Sequence, residues 1–383
     1  METKSALVIA ARGGFVNGFL LHDLDLLQDL GYKVHVAAND NGMGYIEGVL
    51  MERGIGFHQV DFSSKNPFTK ENLLAYKQIK AILKNVAPQV VHCHTAIAGA
   101  ITRLVVLFNR RNKPYLVYTT HGFNFHSLSS KKSWLVYYNI EKFLSRFTNM
   151  IITINKEDYK NAKKMLCKDV RYINGVGVNL NRFDHVVLDR KAYRNNIGIL
   201  DNDLMVFSVG ELSPRKNHAT VIRAIKESGI KNIVYCIAGG SVKDVSTETE
   251  LLRLAEDLGV RLKLLGFRKD IPELCCCANI GAIPSVQEGL GLAGIEQLRC
   301  GVPVLGAKVQ GIMDYIVDGR NGYLFEPYDV KGFAEGLNLL KDGEVRKSMK
   351  TYCIKSVEKF DCSVSFKQMS NIYRSIDEQV TTK

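Results

Sequence analysis

Two acidic side chains stand eight positions apart, Glu288 and Glu296, within a segment that reads PSVQEGLGLAGIE. This segment follows an apolar run typical of a strand and leads into a helical pattern. Glu288 therefore precedes the helix and Glu296 lies inside it, so the two carboxylates can bind different parts of one elongated ligand, such as sugar hydroxyls. The positive end of the helix offers backbone amides that can bind a phosphate. These amides belong to Leu290, Gly291 and Leu292. A glycine-rich turn with two solvated glutamates is the alternative interpretation.

Two adjacent cations, Arg215 and Lys216, occur in a second loop, GELSPRKN at 210–217, again between a predicted strand and a predicted helix. A guanidinium can bind a diphosphate through two hydrogen bonds, and a lysine attracts it as a point charge. The pair therefore indicates a diphosphate site. Two surface charges without a ligand are the alternative.

Two loops in the first half of the chain could also contact a ligand. The loop RGGF contains Gly13 and Gly14; it matches neither the P-loop nor the GxGxxG motif, but its backbone amides could face a phosphate. The loop TTHGFNFH places His121 at the end of a predicted strand, where an imidazole can bind a sugar hydroxyl or a phosphate. A plain turn and a structural histidine are the respective alternatives.

The elements that would position these loops are short apolar runs alternating with helical patterns. Such runs indicate parallel sheets covered on both faces, which bind ligands at the carboxyl ends of their strands. The alternation starts at Ser5 and again at Leu204, and between them a Gly/Asn-rich segment at 174–179 is suited to a hinge. The sequence therefore predicts two doubly wound domains. The predicted strands are 5–11, 33–38, 90–92, 115–120 and 151–154, then 204–209, 233–238, 262–265, 280–283 and 304–307.

Length and composition agree with two globular domains, since the chain has 383 residues and a domain has roughly 100–200. With 46% hydrophobic residues, intrinsic disorder and a fibrous repeat are excluded. The formal net charge is +12, and residues 1–180 hold 23 basic and 13 acidic residues, a net of +10. The segment 65–113 alone has nine basic residues and one acid, Glu71. This excess favours a polyanionic partner: a nucleic acid, an anionic membrane or a phosphorylated substrate.

The nine cysteines, three of them consecutive at 275–277, show no disulfide or zinc spacing, so we expect free thiols in a reducing cytosol. His92, Cys93 and His94 look like a metal triplet. Alternation along a strand would send Cys93 to the opposite face, and we expect no metal there. We also expect no signal peptide and no membrane-spanning helix, because no apolar run reaches about 18 residues.

Taken in order along the chain, these segments resemble the retaining glycosyltransferases of family 4, which have the GT-B fold, and among them the bacterial capsular and exopolysaccharide enzymes. The resemblance covers essentially the whole chain. It rests on the glycine loop at 13–14, the THGFNF run at 120–125, the junction NGVGV at 174–178, the segment GFRKDI at 266–271 and the E-x7-E motif formed by Glu288 and Glu296.

The resemblance implies an α/β fold of the GT-B class, with two doubly wound Rossmann-like domains facing a central cleft. Residues 1–176 would bind the acceptor, and a C-terminal helix at about 365–383 would belong to the same domain. Residues 177–364 would bind a nucleotide-sugar. The implied activity is retaining transfer of a hexosyl or N-acetylhexosaminyl group from a UDP-sugar to a polyprenyl-diphosphate-linked saccharide, in capsule or exopolysaccharide synthesis.

The resemblance also implies a role for each matched residue. Glu296 would bind the ribose hydroxyls, Glu288 the donor sugar, and Arg268 would flank the base. Arg215 and Lys216 would bind the diphosphate. The remaining candidates are His121 opposite the reacting sugar, Gly13, Gly14, Leu290, Gly291 and Leu292 at the donor, and Phe123 and Asn124 at the acceptor. The catalytic candidates are His121, Glu288 and Lys216. The family generally uses no metal, so we expect no metal ion and no cofactor.

One position departs from the family pattern. Many members carry arginine where this chain has Glu211, and an acid beside a diphosphate is unfavourable unless it faces away or pairs with a base. We therefore assign the diphosphate first to Lys216, with Arg215 as compensation. Asn174 also replaces a proline often found at the junction.

The charge excess lies in the half expected to bind the acceptor, so a nucleotide alone does not explain it. Lys77, Lys80 and Lys84 follow helical spacing and would form a basic, partly apolar surface that docks on anionic lipid. The apolar residues beside them are Leu73, Leu74, Ile79 and Leu83. This surface predicts a cytoplasmic protein held peripherally at the inner face of the plasma membrane. A solvated helix face is the alternative.

Two other functions are compatible with parts of the sequence. A UDP-sugar 2-epimerase of GT-B-like fold would need a nucleotide-sugar but no acceptor. A nucleic-acid-binding protein would explain the net charge of +12. The chain shows none of the recognised nucleic-acid-binding motifs, and we expect no nucleic-acid partner.

Overall fold

The computed structural model describes residues 4–41, 44–63, 68–109, 113–241 and 246–382. The chain divides into two compact units, Met1–Val176 with Ser363–Lys383, and Gly177–Cys362. Of the basic segment 65–113, three charged residues lie outside the described ranges: Lys65, Arg110 and Arg111.

The described residues of the first unit form a parallel sheet of seven strands. These are β1 (Ser5–Ile9), β2 (Lys33–Ala38), β3 (Gly56–Gln59), β4 (Val90–His94), β5 (Tyr115–Thr120), β6 (Met150–Thr153) and β7 (Asp169–Tyr172). Their order across the sheet is β3-β2-β1-β4-β5-β6-β7. The chain runs outward from β1 to β3 and then returns to β4, so β1 and β4 flank the switch point where such sheets bind ligands.

The described residues of the second unit form a parallel sheet of six strands, in which the chain again runs outward from the first strand and then returns to its other side. These are β8 (Leu204–Val209), β9 (Ile233–Ala238), β10 (Arg261–Gly266), β11 (Ile280–Ile283), β12 (Val304–Ala307) and β13 (Gly322–Phe325). Their order is β10-β9-β8-β11-β12-β13, which places the switch point between β8 and β11.

Helices connect the strands in both units, as expected for parallel crossovers. In chain order they are α1 (Gly13–Phe19), α2 (Leu21–Asp29), α3 (Tyr45–Glu52), α4 (Lys70–Val86), α5 (Ala96–Phe108), α6 (Lys131–Ser133), α7 (Asn139–Ser145), α8 (Lys156–Ala162), α9 (Asn181–Asp184), α10 (Arg190–Asn196), α11 (His218–Ser228), α12 (Ser246–Leu258), α13 (Ile271–Cys277), α14 (Leu292–Arg299), α15 (Val330–Leu340), α16 (Gly343–Ser356) and α17 (Cys362–Thr381). A π-helical turn at Trp134–Tyr138 joins α6 to α7 without a break. Within the described ranges, no helix combines the length and hydropathy needed to cross a bilayer.

The central strands are those that the apolar runs predict. The strands β1, β4 and β5 are buried at every position, because helices cover both faces of a parallel sheet. Three strands are absent from the sequence prediction, β3, β7 and β13, and each lies at the edge of its sheet. All three are short and only partly buried. The sequences of β3 and β7, GFHQ and DVRY, lack a continuous apolar run, whereas β13 has a run of three apolar residues that the sequence prediction missed.

A buried ion pair joins two helices on one face of the first sheet. Arg103 of α5 is fully buried, and its guanidinium donates to the Glu141 carboxylate of α7 at 2.8 Å and to the Gly99 carbonyl at 3.0 Å. The guanidinium carbon also lies 3.9 Å from the ring centroid of Tyr118. These contacts compensate the charge inside the core and fix α7 against α5.

The C-terminal helix α17 packs on the first unit. The hydroxyl of Tyr373 lies 2.8 Å from Nδ1 of His92 on β4, and Lys4 Nζ donates to Asp377 at 2.7 Å. Phe366 stacks on the ring of His22 from α2, with centroids 3.5 Å apart.

Candidate active site

In the second unit, the two loops with the predicted donor residues follow the neighbouring strands β8 and β11. Both loops therefore lie at the same edge of the sheet. Asn217, in a left-handed backbone conformation, donates its side-chain amide to the carbonyls of Pro284 and Pro327 at 3.0 and 2.6 Å. The amide of Val286 donates to the Arg215 carbonyl at 2.9 Å. These bonds hold the two loops together.

The same arrangement brings three of the predicted site residues into contact. Lys216 Nζ donates to one carboxylate oxygen of Glu288 at 2.5 Å, and Arg215 Nη1 donates to the other at 3.0 Å. Arg215 Nη1 also donates to the Gln287 carbonyl at 3.0 Å. The side chain of Glu288 is only 11% exposed, so its charge depends on these two cations for compensation.

Glu211, the residue that departs from the family pattern, belongs to the same cluster. Its carboxylate accepts hydrogen bonds from Arg215 Nη2 and Ser213 Oγ, both at 3.0 Å. Partial burial works against ionisation, but the hydrogen bonds from Arg215 and Ser213 and the nearby charges outweigh it and lower the pKa of Glu211. Glu211 therefore pairs with a base, which is one of the two conditions under which an acid beside a diphosphate site is acceptable.

The turn into α14 places backbone amides beside this cluster. Gly291 caps the helix with a φ of +78°, and a Cβ there would lie 3.0 Å from the Tyr315 hydroxyl. That hydroxyl donates to the Gly291 carbonyl at 3.0 Å, and Leu290 is buried beneath the turn. Leu292 is the first residue of the helix. The amide of Glu288 donates to the side chain of Gln310 at 3.2 Å.

The other two predicted donor residues lie elsewhere on the second unit. Glu296 projects from α14, where burial raises its pKa and the charge of Arg182 opposes the shift. Arg268 follows β10 and binds both carboxylate oxygens of Asp270, at 2.8 and 2.5 Å. Tyr193 donates to the same carboxylate at 2.5 Å. Arg268 is thus held by Asp270, a partner that the sequence did not predict.

In the first unit, His121 follows β5 and contacts the start of helix α1. Its ring lies edge-on to Phe15, with centroids 4.7 Å apart, and Nε2 shares a hydrogen bond of 3.2 Å with Nδ1 of His94. Burial lowers the pKa of His121 to about 3, so its imidazole is neutral at physiological pH.

The structure corrects the predicted loop at Gly13 and Gly14, since both glycines belong to the first turn of α1, which begins at Gly13. The two glycines have different surroundings. The amide of Gly13 donates to the Asn39 carbonyl at 2.8 Å, and a Cβ at Gly13 would lie 2.8 Å from the Asp40 carboxylate. Close packing therefore requires glycine at this position. A Cβ at Gly14 would meet no atom within 4 Å.

The two predicted acceptor residues, Phe123 and Asn124, differ in exposure. Phe123 is buried and stacks on Phe125, with centroids 4.7 Å apart, so its ring supports the loop from inside the core. Asn124 is exposed. The backbone amide of Phe123 donates to Asp158 at 3.0 Å, and that of Ser127 donates to Glu157. These two acids of α8 position the loop. The helix-capping pattern at Asn155 was the sequence signal that could have identified them.

His92 and His94 lie on one face of β4, with ring centroids 4.1 Å apart, and the Cys93 thiol donates to the Val117 carbonyl at 3.3 Å. The ring nitrogens of His92 bond to Tyr373 and Thr119, at 2.8 and 2.7 Å. No group of three metal-binding side chains is found in the part of the chain that the structure describes. His94 contacts the candidate residue His121, a role that its place in the HCH triplet did not predict.

The helix α4 presents only part of the predicted basic surface. Lys77, Lys80 and Lys84 are exposed together with Leu73 and Leu74. Two further residues assigned to this surface are buried in the core, and that part of the prediction is wrong: Ile79 and Leu83. Ile79 and Leu83 are four positions apart, so they share one side of the helix, and that side faces the core.

Comparison with known proteins matches both halves of the chain to family models. Residues 6–155 match the model described as "Glycosyl transferase 4-like", and residues 189–356 match "Glycosyl transferases group 1". The putative glycosyltransferase EpsD of Bacillus subtilis is 31% identical over 97% of this chain and 96% of its own length. An Escherichia coli relative, UDP-Gal:alpha-D-GlcNAc-diphosphoundecaprenol alpha-1,3-galactosyltransferase, is 27% identical over 75% of this chain and 76% of its own.

Among solved structures, the crystal structure of Anabaena Alr3699/HepE in complex with UDP and glucose has a TM-score of 0.77 and 20% identity. It covers 97% of this chain and 100% of its own. This similarity supports the two Rossmann-like sheets as a GT-B fold. The chain belongs to the group 1, GT4-like glycosyltransferases, as its motifs indicated.

Proposed function

We propose that this glycosyltransferase moves a sugar from a UDP-sugar to a polyprenyl-diphosphate-linked saccharide, with retained configuration, in capsule or exopolysaccharide synthesis. The observation that carries the proposal is the contact of Lys216 and Arg215 with Glu288 beside the turn into α14. Two cations that could bind a diphosphate thus lie next to a carboxylate that could bind a sugar. The E. coli relative, whose name states a UDP-galactose donor and a diphosphoundecaprenol acceptor, and the UDP bound to HepE support this substrate class.

Donor binding would exchange the partners of the cluster. A diphosphate attracts Lys216 and Arg215 more strongly than a single carboxylate does, because it offers more charge and more acceptor oxygens. Glu288 is then free to accept hydrogen bonds from the sugar. The amides of Leu290, Gly291 and Leu292 add to diphosphate binding, Glu296 binds the ribose, and Arg268 lies beside the base. We also assign Gly13 and Gly14, in the first turn of α1, to donor binding.

In the proposed reaction, the bond between the anomeric carbon and the diphosphate oxygen breaks as the acceptor hydroxyl attacks the same face of the sugar. The leaving diphosphate takes the proton of that hydroxyl, and UDP departs. Lys216 and Arg215 stabilise the negative charge that develops on the diphosphate. The neutral imidazole of His121 contacts the transferred sugar, and Asn124 contacts the acceptor. No metal ion or cofactor takes part, so transfer should persist in EDTA.

A lipid-linked acceptor requires access to a membrane. The exposed lysines of α4 would attract anionic lipid headgroups, and we propose that the protein binds peripherally at the inner face of the plasma membrane. The experiment that tests the whole proposal uses the full chain, a panel of UDP-sugars and a polyprenyl-diphosphate-linked saccharide. The configuration of the product is read by NMR.

Two variants test the residue roles. Glu288→Gln should abolish transfer and retain UDP binding, whereas Lys216→Ala should lose both, as measured by calorimetry with UDP. Glu250→Gln and Lys226→Ala are matched controls at exposed positions and should behave as wild type. Near wild-type turnover in either test variant, or an inverted product, contradicts the proposal. Conversion of a UDP-sugar to its 2-epimer without acceptor would instead assign the epimerase function.

A further inference from the structure

Five large apolar side chains are exposed within nine residues of the continuous helical segment 131–145. Their exposed fractions are 71% for Leu135, 42% for Val136, 42% for Tyr137, 43% for Ile140 and 54% for Phe143. The surface of a soluble monomer rarely groups apolar side chains in this way, and such patches mark interaction sites.

Four of these residues share one side of the helix. Leu135, Val136, Ile140 and Phe143 follow spacings of one, four and three positions, which defines a helical face. We call these four residues the outer stripe. The opposite side faces the core, where Trp134 and Tyr138 pack on Phe125 with ring centroids 5.1 and 5.4 Å away and Leu144 is buried. The segment is therefore apolar on both sides, and the core accounts for only one of them.

The charges around the outer stripe are basic. Lys131 and Lys132 precede it, Lys142 lies within its length and Arg146 follows it. The acid of the segment, Glu141, is buried and paired with Arg103. Exposed cations at both ends of an apolar face complement a surface that is apolar inside and negatively charged outside, as an anionic bilayer is.

The outer stripe is firmly attached to the loop that holds the acceptor candidates. Trp134 Nε1 donates to the His126 carbonyl at 2.9 Å, which fixes the helix to the loop containing His121 and Asn124. The ion pair of Arg103 with Glu141 fixes the other end of the segment to α5. A bilayer at the stripe would therefore lie close to this loop.

We propose that the outer stripe inserts into the headgroup region of an anionic bilayer, with Lys131, Lys132 and Arg146 binding the lipid phosphates. This inference rests on the proposed function, since it explains how an acceptor anchored in lipid reaches the loop at His121. It assigns membrane docking chiefly to the segment 131–145, whereas the lysines of α4 add long-range attraction.

The test is flotation of the full chain with vesicles of phosphatidylcholine mixed with phosphatidylglycerol, and with vesicles of phosphatidylcholine alone. Wild type should float with the mixed vesicles and dissociate at high salt. Leu135→Ser/Ile140→Ser should lower the bound fraction about tenfold, and Lys131→Glu/Lys132→Glu should do the same. Matched controls in the second unit, Leu252→Ser/Leu339→Ser and Lys226→Glu/Lys231→Glu, should bind as wild type.

Two outcomes would overturn the inference. Equal flotation of wild type and Leu135→Ser/Ile140→Ser excludes the stripe as the docking site. The second outcome is that wild type binds no vesicles but self-associates in sedimentation, and that Leu135→Ser/Ile140→Ser abolishes this self-association. The stripe would then bind a second copy of the chain. Transfer to a water-soluble short-chain prenyl-diphosphate saccharide separates the two proposals. Leu135→Ser/Ile140→Ser should retain transfer to this soluble acceptor. If wild type itself does not transfer a sugar to the soluble acceptor, the proposed function is contradicted and the docking inference is not.

Discussion

The guanidinium of Arg215 bridges two acids, since Nη2 donates to Glu211 and Nη1 donates to Glu288, each at 3.0 Å. A diphosphate that binds Arg215 must therefore compete with two carboxylates. Glu211 remains ionised at neutral pH, because its hydrogen bonds to Arg215 and Ser213 outweigh the effect of burial and lower its pKa.

Removal of the Glu211 charge should strengthen donor binding. Glu211→Gln keeps the size of the side chain and eliminates one of the two charges that hold Arg215. We expect the Kd for UDP, measured by calorimetry, to fall about twofold to fivefold, in line with the free energy of a partly exposed ion pair. Glu250→Gln should leave the Kd unchanged. Weaker UDP binding by Glu211→Gln would mean that Glu211 positions Arg215 for the diphosphate.

Substitution of His121 should lower turnover without changing its pH dependence. Burial lowers the pKa of this imidazole to about 3, so it stays neutral between pH 5 and 8. We expect His121→Asn to reduce kcat about 100-fold, the usual effect of removing one hydrogen bond to the transition state. The pH profiles of kcat/KM for wild type and variant should have the same shape. A break near pH 6.5 that disappears in the variant would contradict a neutral His121.

His94 should act on the reaction through His121. The two rings share a hydrogen bond of 3.2 Å, and the other nitrogen of His94 is buried without a hydrogen-bond partner. We expect His94→Ala to lower kcat more than it changes the KM of the acceptor, and His94→Asn to recover part of the loss by retaining a polar contact. If His94→Ala and His94→Asn lower kcat equally and also lower the unfolding midpoint equally, His94 has a purely structural role.

Loss of the buried ion pair should destabilise the first unit strongly. In Glu141→Ala the guanidinium of Arg103 stays buried without its carboxylate, and we expect a loss of about 3–5 kcal/mol in the free energy of unfolding. Trp134, the single tryptophan, reports this unit by fluorescence during urea unfolding. The exposed Glu47→Ala is the control and should change the free energy by about 0.5 kcal/mol or less. A similar loss in both variants would show that the pair contributes little.

The buried histidines should make the first unit sensitive to acid. Burial lowers the pKa of His92 to about 3, whereas the unfolded chain has the ordinary value near 6.5. The unfolded state therefore binds the proton first as the pH falls below 6.5, and stability decreases from there toward pH 3. Between pH 7.5 and 5.0, His92 should account for about 2 kcal/mol of the loss.

The measurement for this prediction is urea unfolding followed by Trp134 fluorescence at both pH values. In His92→Gln the difference between the two pH values should shrink by about 2 kcal/mol, because glutamine does not titrate. An unchanged difference would show that His92 is already protonated in the folded state at pH 5.0.

The sequence alone determined the central strands, the two repeats of strand and helix, and the loops that carry Lys216, Glu288 and His121. It could do so because a strand buried on both faces must be continuously apolar, and because a parallel sheet places its functional loops after such strands. The edge strands β3 and β7 escaped prediction for the same reason, since their partial exposure leaves no continuous apolar run. The edge strand β13 has an apolar run of only three residues, which was too short to be predicted as a strand.

Tertiary structure decided which side chains meet. The pairing of Glu288 with Lys216, the bond between His94 and His121, and the support of the acceptor loop by Asp158 all join residues that are distant in sequence. Burial also separated Phe123 from Asn124 and Ile79 from Lys77, neighbours of similar predicted role. The outer stripe shows most clearly what the sequence alone does not determine. An apolar pattern reveals that a helix has apolar faces, but only packing shows which of them the core leaves exposed.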